Sequence, residues 1–146
     1  MDLNEITGRI VDAAFRIHRD VGPGLLESVY EVVLSDLLQQ DGLDVERQKP
    51  ILIRFGGKTF EEGYRADLVE AGLVLVEIKS VEQLTRVHRK QVLTYLKLSE
   101  LRVGLLSNFG GATLKGNIER LVHGELPDLH LDERSKSRGR IHFNPP

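Results

Sequence analysis

The run Leu73-Val74-Leu75-Val76-Glu77-Ile78-Lys79 most constrains the fold of this chain. It is β-rich and apolar on both faces until its end, the pattern of a central strand covered on two sides. Such a strand needs packed layers above and below it, so helices must flank a sheet. Side chains alternate along a strand, which puts Leu73, Leu75, Glu77 and Lys79 on one face and Val74, Val76 and Ile78 on the other. A carboxylate and an ammonium therefore continue an apolar face.

The rest of the chain supplies the layers. Leu3, Ile6, Ile10, Ala13, Ala14 and Ile17 recur at helical spacing and predict an amphipathic first helix ending near Arg19. Val21-Gly22-Pro23-Gly24 cannot continue it and makes a tight turn. A second helix begins near Leu25, shows Leu26, Tyr30, Val33, Leu34, Leu37 and Leu38 on one face, and closes at Asp41-Gly42. The pattern then becomes extended over Val45–Phe55, with Gly56-Gly57 as a hairpin signal before Lys58–Tyr64. Tyr64–Val69 reads as a strand and Ala71-Gly72 as the turn into the central strand, giving three antiparallel strands. A helix over Val81–Leu98 follows, then a short strand over Leu101–Leu106 that ends at Ser107-Asn108, and a weak helix over Leu114–Val122. The order is α-α-β-β-β-α-β, an α/β class with a mixed sheet. Residues 1–126 form one domain on this reading, and the polar, charged residues 127–146 form a flexible tail.

Length and composition bound the function. At 146 residues the chain fits a single domain able to bury a core without staples. It has no cysteine, which excludes disulfide frameworks, thiolate zinc sites and cysteine nucleophiles. The N-terminus carries Asp2 and Glu5 where a secretory signal would carry lysines, and no run reaches the roughly 20 apolar residues of a membrane helix. A cytoplasmic protein without a membrane partner is expected. The net charge of −2 gives no global attraction for nucleic acid, so any polyanion site must be local or bring its own cations.

Asp67 gives the charged end of the central strand a chemical meaning. It lies ten positions before Glu77 with the Ala71-Gly72 turn between them, so antiparallel pairing brings the two carboxylates together. Close carboxylates repel unless a cation neutralises them, and Mg²⁺, a hard ion with oxygen ligands, suits the pair. Lys79 beside such an ion can orient an attacking water or stabilise charge developing on phosphate. These parts match phosphodiester hydrolysis. A plain Glu77–Lys79 ion pair at a strand end also accounts for the strand taken alone.

Asp67 followed by Glu77-Ile78-Lys79 resembles the D…(D/E)-x-K signature of the PD-(D/E)XK nuclease superfamily. Gly24-Leu25-Leu26-Glu27-Ser28-Val29-Tyr30 is similar to the G-x-x-E-x-x-Y pattern that names a small bacterial family within it. The resemblance spans roughly residues 5–122. It implies a restriction-endonuclease-like core that cuts nucleic acid, DNA ahead of RNA, with Mg²⁺ or, in its place, Mn²⁺. It further implies metal ligation by Asp67, Glu77 and the Ile78 carbonyl, a further metal or water contact from Glu27, and Lys79 as the catalytic lysine. Ala66 departs from the pattern, standing where the superfamily name expects proline.

Further candidates sit on the helices. Glu27 in a first helical turn is also simply favourable to the helix dipole. Tyr30 shares its face and fits a core aromatic as well as a site-shaping one. His88, Gln91 and Tyr95 form one stripe with Leu84, and Gln91-x-x-x-Tyr95 resembles an element of RecB-like and Cas4-like exonucleases. Arg86, Arg89 and Lys90 add a cationic patch able to hold phosphates or merely to face solvent. His18 sits favourably at a helix end. No phosphate loop and no nucleophile elbow is present. A non-catalytic nucleic-acid-binding module, a homodimer, and a subunit active only in a larger assembly remain open.

Overall fold

The computed structural model describes residues 1–61 and 63–124. The expected tail from residue 127 onward lies outside them. Helix α1 (Leu3–Val21) starts at Asp2, whose side chain accepts from the Glu5 N–H at 2.8 Å, and stops at Gly22 with φ of 79°. That conformation favours glycine and ends a helix cleanly. Helix α2 (Glu27–Gln40) returns beside it. Strands β1 (Val45–Pro50), β4 (Arg65–Glu70), β5 (Val74–Lys79), β6 (Val103–Asn108) and β7 (Ile118–Val122) form one sheet in the order β1-β4-β5-β6-β7. Strands β2 (Ile53–Phe55) and β3 (Lys58–Phe60) form a separate hairpin.

The central strand is β5, as its sequence requires. It pairs antiparallel with β4 and parallel with β6. A parallel pair needs a long crossover, and helix α3 (Arg86–Ser99) is that connection. Val74, Val76 and Ile78 meet Ile10, Ala14, Tyr30, Leu34 and Leu38 in the core under α1 and α2. Leu75 joins Val92, Leu96, Leu106 and Leu121 in the core under α3. Gly104 in β6 lets α3 lie close, since a Cβ there would stand 2.9 Å from Val92 Cγ1. The architecture is the expected mixed sheet between helices, a restriction-endonuclease-like core. No helix among the described residues is long and apolar enough to cross a membrane.

Three expectations are corrected. Leu114–Val122 is not a helix: Asn117 N–H donates to the Leu114 carbonyl, Gly116 takes φ of 78°, and the chain turns into β7. All six residues of β6 are buried, and β7 supplies the ladder partners its outer edge would otherwise lack. The extended stretch from Val45 breaks at Ile51-Leu52, so the Gly56-Gly57 hairpin belongs to β2 and β3 and not to the main sheet. Helix α3 begins at Arg86 and not at Val81, because residues 80–85 are held to other elements as described below.

One buried acid stands out at the end of β4. Glu70 closes β4 with no solvent exposure, and among the described residues neither carboxylate oxygen has a hydrogen-bond partner. Burial, reinforced by the charge of Asp44, pushes its carboxyl up to about 7. An acid raised in the folded state binds more protons folded than unfolded, so stability falls as pH climbs from the unfolded value of 4.5 through about 7. Glu70→Gln should therefore raise stability at pH 8 by roughly 2–3 kcal/mol and change it much less at pH 4.5. Thermal unfolding of both proteins at both pH values checks this; an equal effect at the two pH values would remove the titration as its cause.

Candidate active site

The β4–β5 ladder runs from Glu70↔Val74 to Leu68↔Val76 and stops there. Beyond it, side chains replace the backbone rungs. Ile78 N–H donates to Asp67 Oδ2 at 2.8 Å, and Asp67 N–H donates to Glu77 Oε1 at 3.4 Å. Each carboxylate thus caps an amide of the opposite strand, and the strands part around the pair. In a strand a residue's N–H and C=O point to the same side, so the Ile78 carbonyl also faces this opening.

Glu77 is buried, Asp67 is half-buried, and the Asp67 charge repels that of Glu77. Glu77 is only 6% exposed. Burial first, then the Asp67 charge, pushes its carboxyl up to about 7, against hydrogen bonds from Tyr64 and the Asp67 amide and the attraction of Lys79. Burial also raises Asp67; the Ile78 amide opposes it, the Glu31 charge adds to it, and Gln48 and Lys79 oppose it further. Lys79 thus acts on both carboxylates, yet among the described residues it forms no ion pair with Glu77. The plain strand-end salt bridge is not what the fold builds.

Residues 80–85 are tied down on three sides. Ser80 N–H donates to Glu27 Oε2 at 3.3 Å and Ser80 Oγ to the Leu25 carbonyl at 2.7 Å. Val81 N–H donates to Asn108 Oδ1 at 3.0 Å, and Phe109 N–H to the Lys79 carbonyl at 2.8 Å. Gly110 packs so tightly beneath that an added Cβ would collide with the Ser80–Val81 backbone. These contacts account for the late start of α3, and they fix the backbone that carries Lys79.

Over residues 4–121 the sequence matches the family model of the PD-(D/E)XK nuclease superfamily. The chain belongs to that superfamily. Neither a curated protein nor a solved structure matches it, so the family model alone carries the assignment. Nucleases of this superfamily act on nucleic acid and generally use divalent metal ions. The donors at the parted strands suit such an ion: two carboxylates raised by burial, with a carbonyl facing the same opening.

Within this PD-(D/E)XK core the other candidates divide. Among the described residues no three Asp, Glu or His side chains gather around one point, and Glu27 stands at Ser80, apart from the pair. Tyr30 is a buried core aromatic, stacked on Phe109 with centroids 4.5 Å apart. Its hydroxyl donates to the Gly22 carbonyl at 2.6 Å and accepts from Leu25 N–H at 3.2 Å, so it braces the turn that leads to Glu27. Tyr95 stacks on Tyr64, centroids 3.5 Å apart. His88 Nδ1 accepts from Thr85 N–H at 3.0 Å; burial and then the charge of Lys79 lower its pKa, while Glu27 raises it. Gln91 is exposed. Arg89 is spent on a bidentate pair with buried Glu119 of β7, at 2.6–2.9 Å.

Sequence reasoning missed Tyr64, Glu31 and Gln48. Tyr64 donates its hydroxyl to Glu77 Oε1, and burial followed by that neighbouring charge raises its own pKa. Glu31 lies one helical turn beyond Glu27, a spacing that could have marked it. It pairs with Arg47 at 2.9 Å and accepts from Gln48, whose amide also reaches Asp67.

Gly110 offers a structural check on this bracing. Gly110→Ala should cost roughly 1–3 kcal/mol through overpacking against the Val81 backbone. Gly8→Ala, in exposed helix α1 with nothing within 4 Å, should instead stabilise by about 1 kcal/mol. Urea titrations of both variants test the pair, and a neutral Gly110→Ala would show that the Ser80–Val81 backbone is loosely held.

Proposed function

We propose that the chain is a metal-dependent phosphodiesterase with Asp67, Glu77 and Lys79 at the centre of its active site. The observation that carries this reading is the reciprocal capping of Asp67 and Glu77 where β4 and β5 part, with the Lys79 charge acting on both. Asp67, Glu77 and the Ile78 carbonyl would hold Mg²⁺, or Mn²⁺ in its place. The ion would supply the positive charge that offsets the two carboxylates, polarise the phosphate and lower the pKa of a bound water.

The chain's own residues do the rest. Tyr64 fixes the Glu77 rotamer by its hydroxyl and is itself fixed by the Tyr95 ring. Lys79, on a backbone tied at Ser80, Val81 and its own carbonyl, is placed to hold a phosphate oxygen or orient water. Burial and the Lys79 charge lower the His88 pKa, and with Nδ1 accepting from Thr85 its Nε2–H would be the donor for phosphate. Glu27 acts from the edge of the site through a water or through Ser80. Within the superfamily this reading places the chain with the GxxExxY proteins. Gly24 adopts φ of 106°, Glu27 receives Ser80, and Tyr30 braces the turn between them, so each named position of the motif has a structural task. DNA is the first substrate to test.

A cleavage panel with labelled single-stranded, duplex and branched DNA and with RNA, in Mg²⁺, Mn²⁺ or EDTA, tests the reading. Cutting should require metal and fall at least a hundredfold, on the order expected for losing a principal catalytic group, in Lys79→Ala and Asp67→Ala. Activity surviving both substitutions would sink the site assignment, and metal-independent binding without cutting would favour a binding module.

The same carboxylates set a pH dependence. Metal binding needs Glu77 ionised, and its carboxyl in the metal-free fold ionises at about 7. The Mg²⁺ concentration for half-maximal cutting should therefore fall as pH rises from 6 to 8. A Mg²⁺ requirement flat across that range would separate Glu77 from the ion.

A further inference from the structure

Beside Asp67 the main sheet is irregular on its other flank as well. The β1–β4 register pairs Arg47 with Leu68 and Lys49 with Ala66, so Gln48 and Asp67 face each other between those rungs without pairing. Gln48 has φ of 50°, left-handed for a non-glycine residue inside a strand. Residues held this way persist only where their surroundings over-determine them, and they cluster at functional sites.

The surroundings of Gln48 do so. Arg65 Nη1 donates to its carbonyl at 3.2 Å. Its side-chain Nε2 donates to Glu31 and, at 3.2 Å, to Asp67 Oδ1. Glu31 is 5% exposed and is anchored by Arg47 through Nε at 3.2 Å and Nη2 at 2.9 Å. A relay thus runs from Arg47 through Glu31 and the Gln48 amide to one oxygen of Asp67, while Ile78 N–H holds the other.

Resting on the nuclease reading above, we infer that Gln48 is a positioning residue of the metal site. Neither the β1–β4 ladder nor the β4–β5 ladder pairs Asp67, so the ladder does not fix where its carboxylate points. The Gln48 amide replaces that constraint, and its left-handed backbone is what turns the side chain along the sheet edge toward Asp67. A neutral donor serves here because it orients the carboxylate without cancelling the charge an ion needs. Outer partners of this kind typically set metal affinity by about 10–100-fold.

The test is Mn²⁺ binding to the metal-free full chain at pH 8 by isothermal titration calorimetry, alongside thermal unfolding. Three variants are compared with wild type: Gln48→Gly, Gln48→Met and Asp67→Ala. Gln48→Gly removes the amide while suiting the left-handed backbone, so its Tm should equal or exceed wild type although Mn²⁺ binds about 10–100-fold more weakly. Gln48→Met keeps the length without the donor and should weaken binding to the same degree. Wild-type affinity in either variant, with Asp67→Ala impaired, overturns the role of Gln48 and leaves the nuclease site standing. Asp67→Ala binding as tightly as wild type, or wild type binding no Mn²⁺, overturns the site itself and this inference with it.

Discussion

The parting of β4 and β5 is the constraint on which the rest of the molecule depends. A buried backbone amide without a partner is costly, so two strands cannot simply separate in the middle of a domain. Here Asp67 and Glu77 take over the missing rungs, each accepting from the other strand. The exchange satisfies the backbone but leaves two carboxylates facing one opening. Burial raises the carboxyl pKa of both residues, with the Asp67 charge adding to it at Glu77 and the Glu31 charge at Asp67. Such an arrangement holds only if the strands cannot slide, and the two cores supply that. Leu68, Val74, Val76 and Ile78 are locked under α1 and α2, while Leu75 is locked under α3.

Around this opening the fold spends its least ordinary geometry. Gly110 closes against Ser80 and Val81, Asn108 uses Oδ1 on both Val81 and Gly110, and Asn117 holds Asn108 from behind. These groups touch neither carboxylate. They fix the backbone on which Lys79 is carried, so loops after β6 govern the end of β5 through hydrogen bonds. The parallel pairing of β5 and β6 makes this possible, because both strands finish at the same edge of the sheet. The turn before α2 meets that edge from the other layer, through Leu25, Glu27 and Tyr30.

The parts legible in the sequence were those set by local period and short loops. The two apolar faces of residues 73–79 required a covered strand, and the three-residue connection Ala71-Gly72-Leu73 fixed Asp67 near Glu77. The helical stripe of α3 placed Tyr95 toward the sheet. What stayed hidden came from pairings distant in the chain. Strand β7 exists because β6 needs an edge partner, and nothing in Leu114–Val122 announces that need. With β7 unseen, Glu119 was unseen as well, and Arg89 could be read only as holding phosphate or facing solvent, not as the partner of a buried acid. Tyr64 and Gln48 were invisible for a related reason: their tasks follow from where the β1–β4 ladder is interrupted and the β4–β5 ladder ends. The left-handed backbone at Gln48 carries no glycine to signal it.

Four of the buried and half-buried acids show two different electrostatic solutions. Glu31 is matched by Arg47, and Glu119 by Arg89, each a charged partner at hydrogen-bond distance. Among the described residues, Asp67 and Glu77 receive only neutral donors at that range: two backbone amides, the Gln48 amide and the Tyr64 hydroxyl. Arginine would have been the stronger stabiliser of either carboxylate, being planar, bidentate and always charged. It would also have occupied the space and the charge that a divalent ion needs. Neutral donors orient the oxygens while leaving their negative charge largely uncancelled, and Lys79 brings a single positive charge to bear on the pair. For a chain of net charge −2 that difference matters. A phosphate approaching these carboxylates alone meets repulsion, whereas an ion held between them reverses the sign of the local field. On the proposed reading the chain therefore needs no basic surface to attract nucleic acid, because the pair it leaves uncompensated selects the cation that does so.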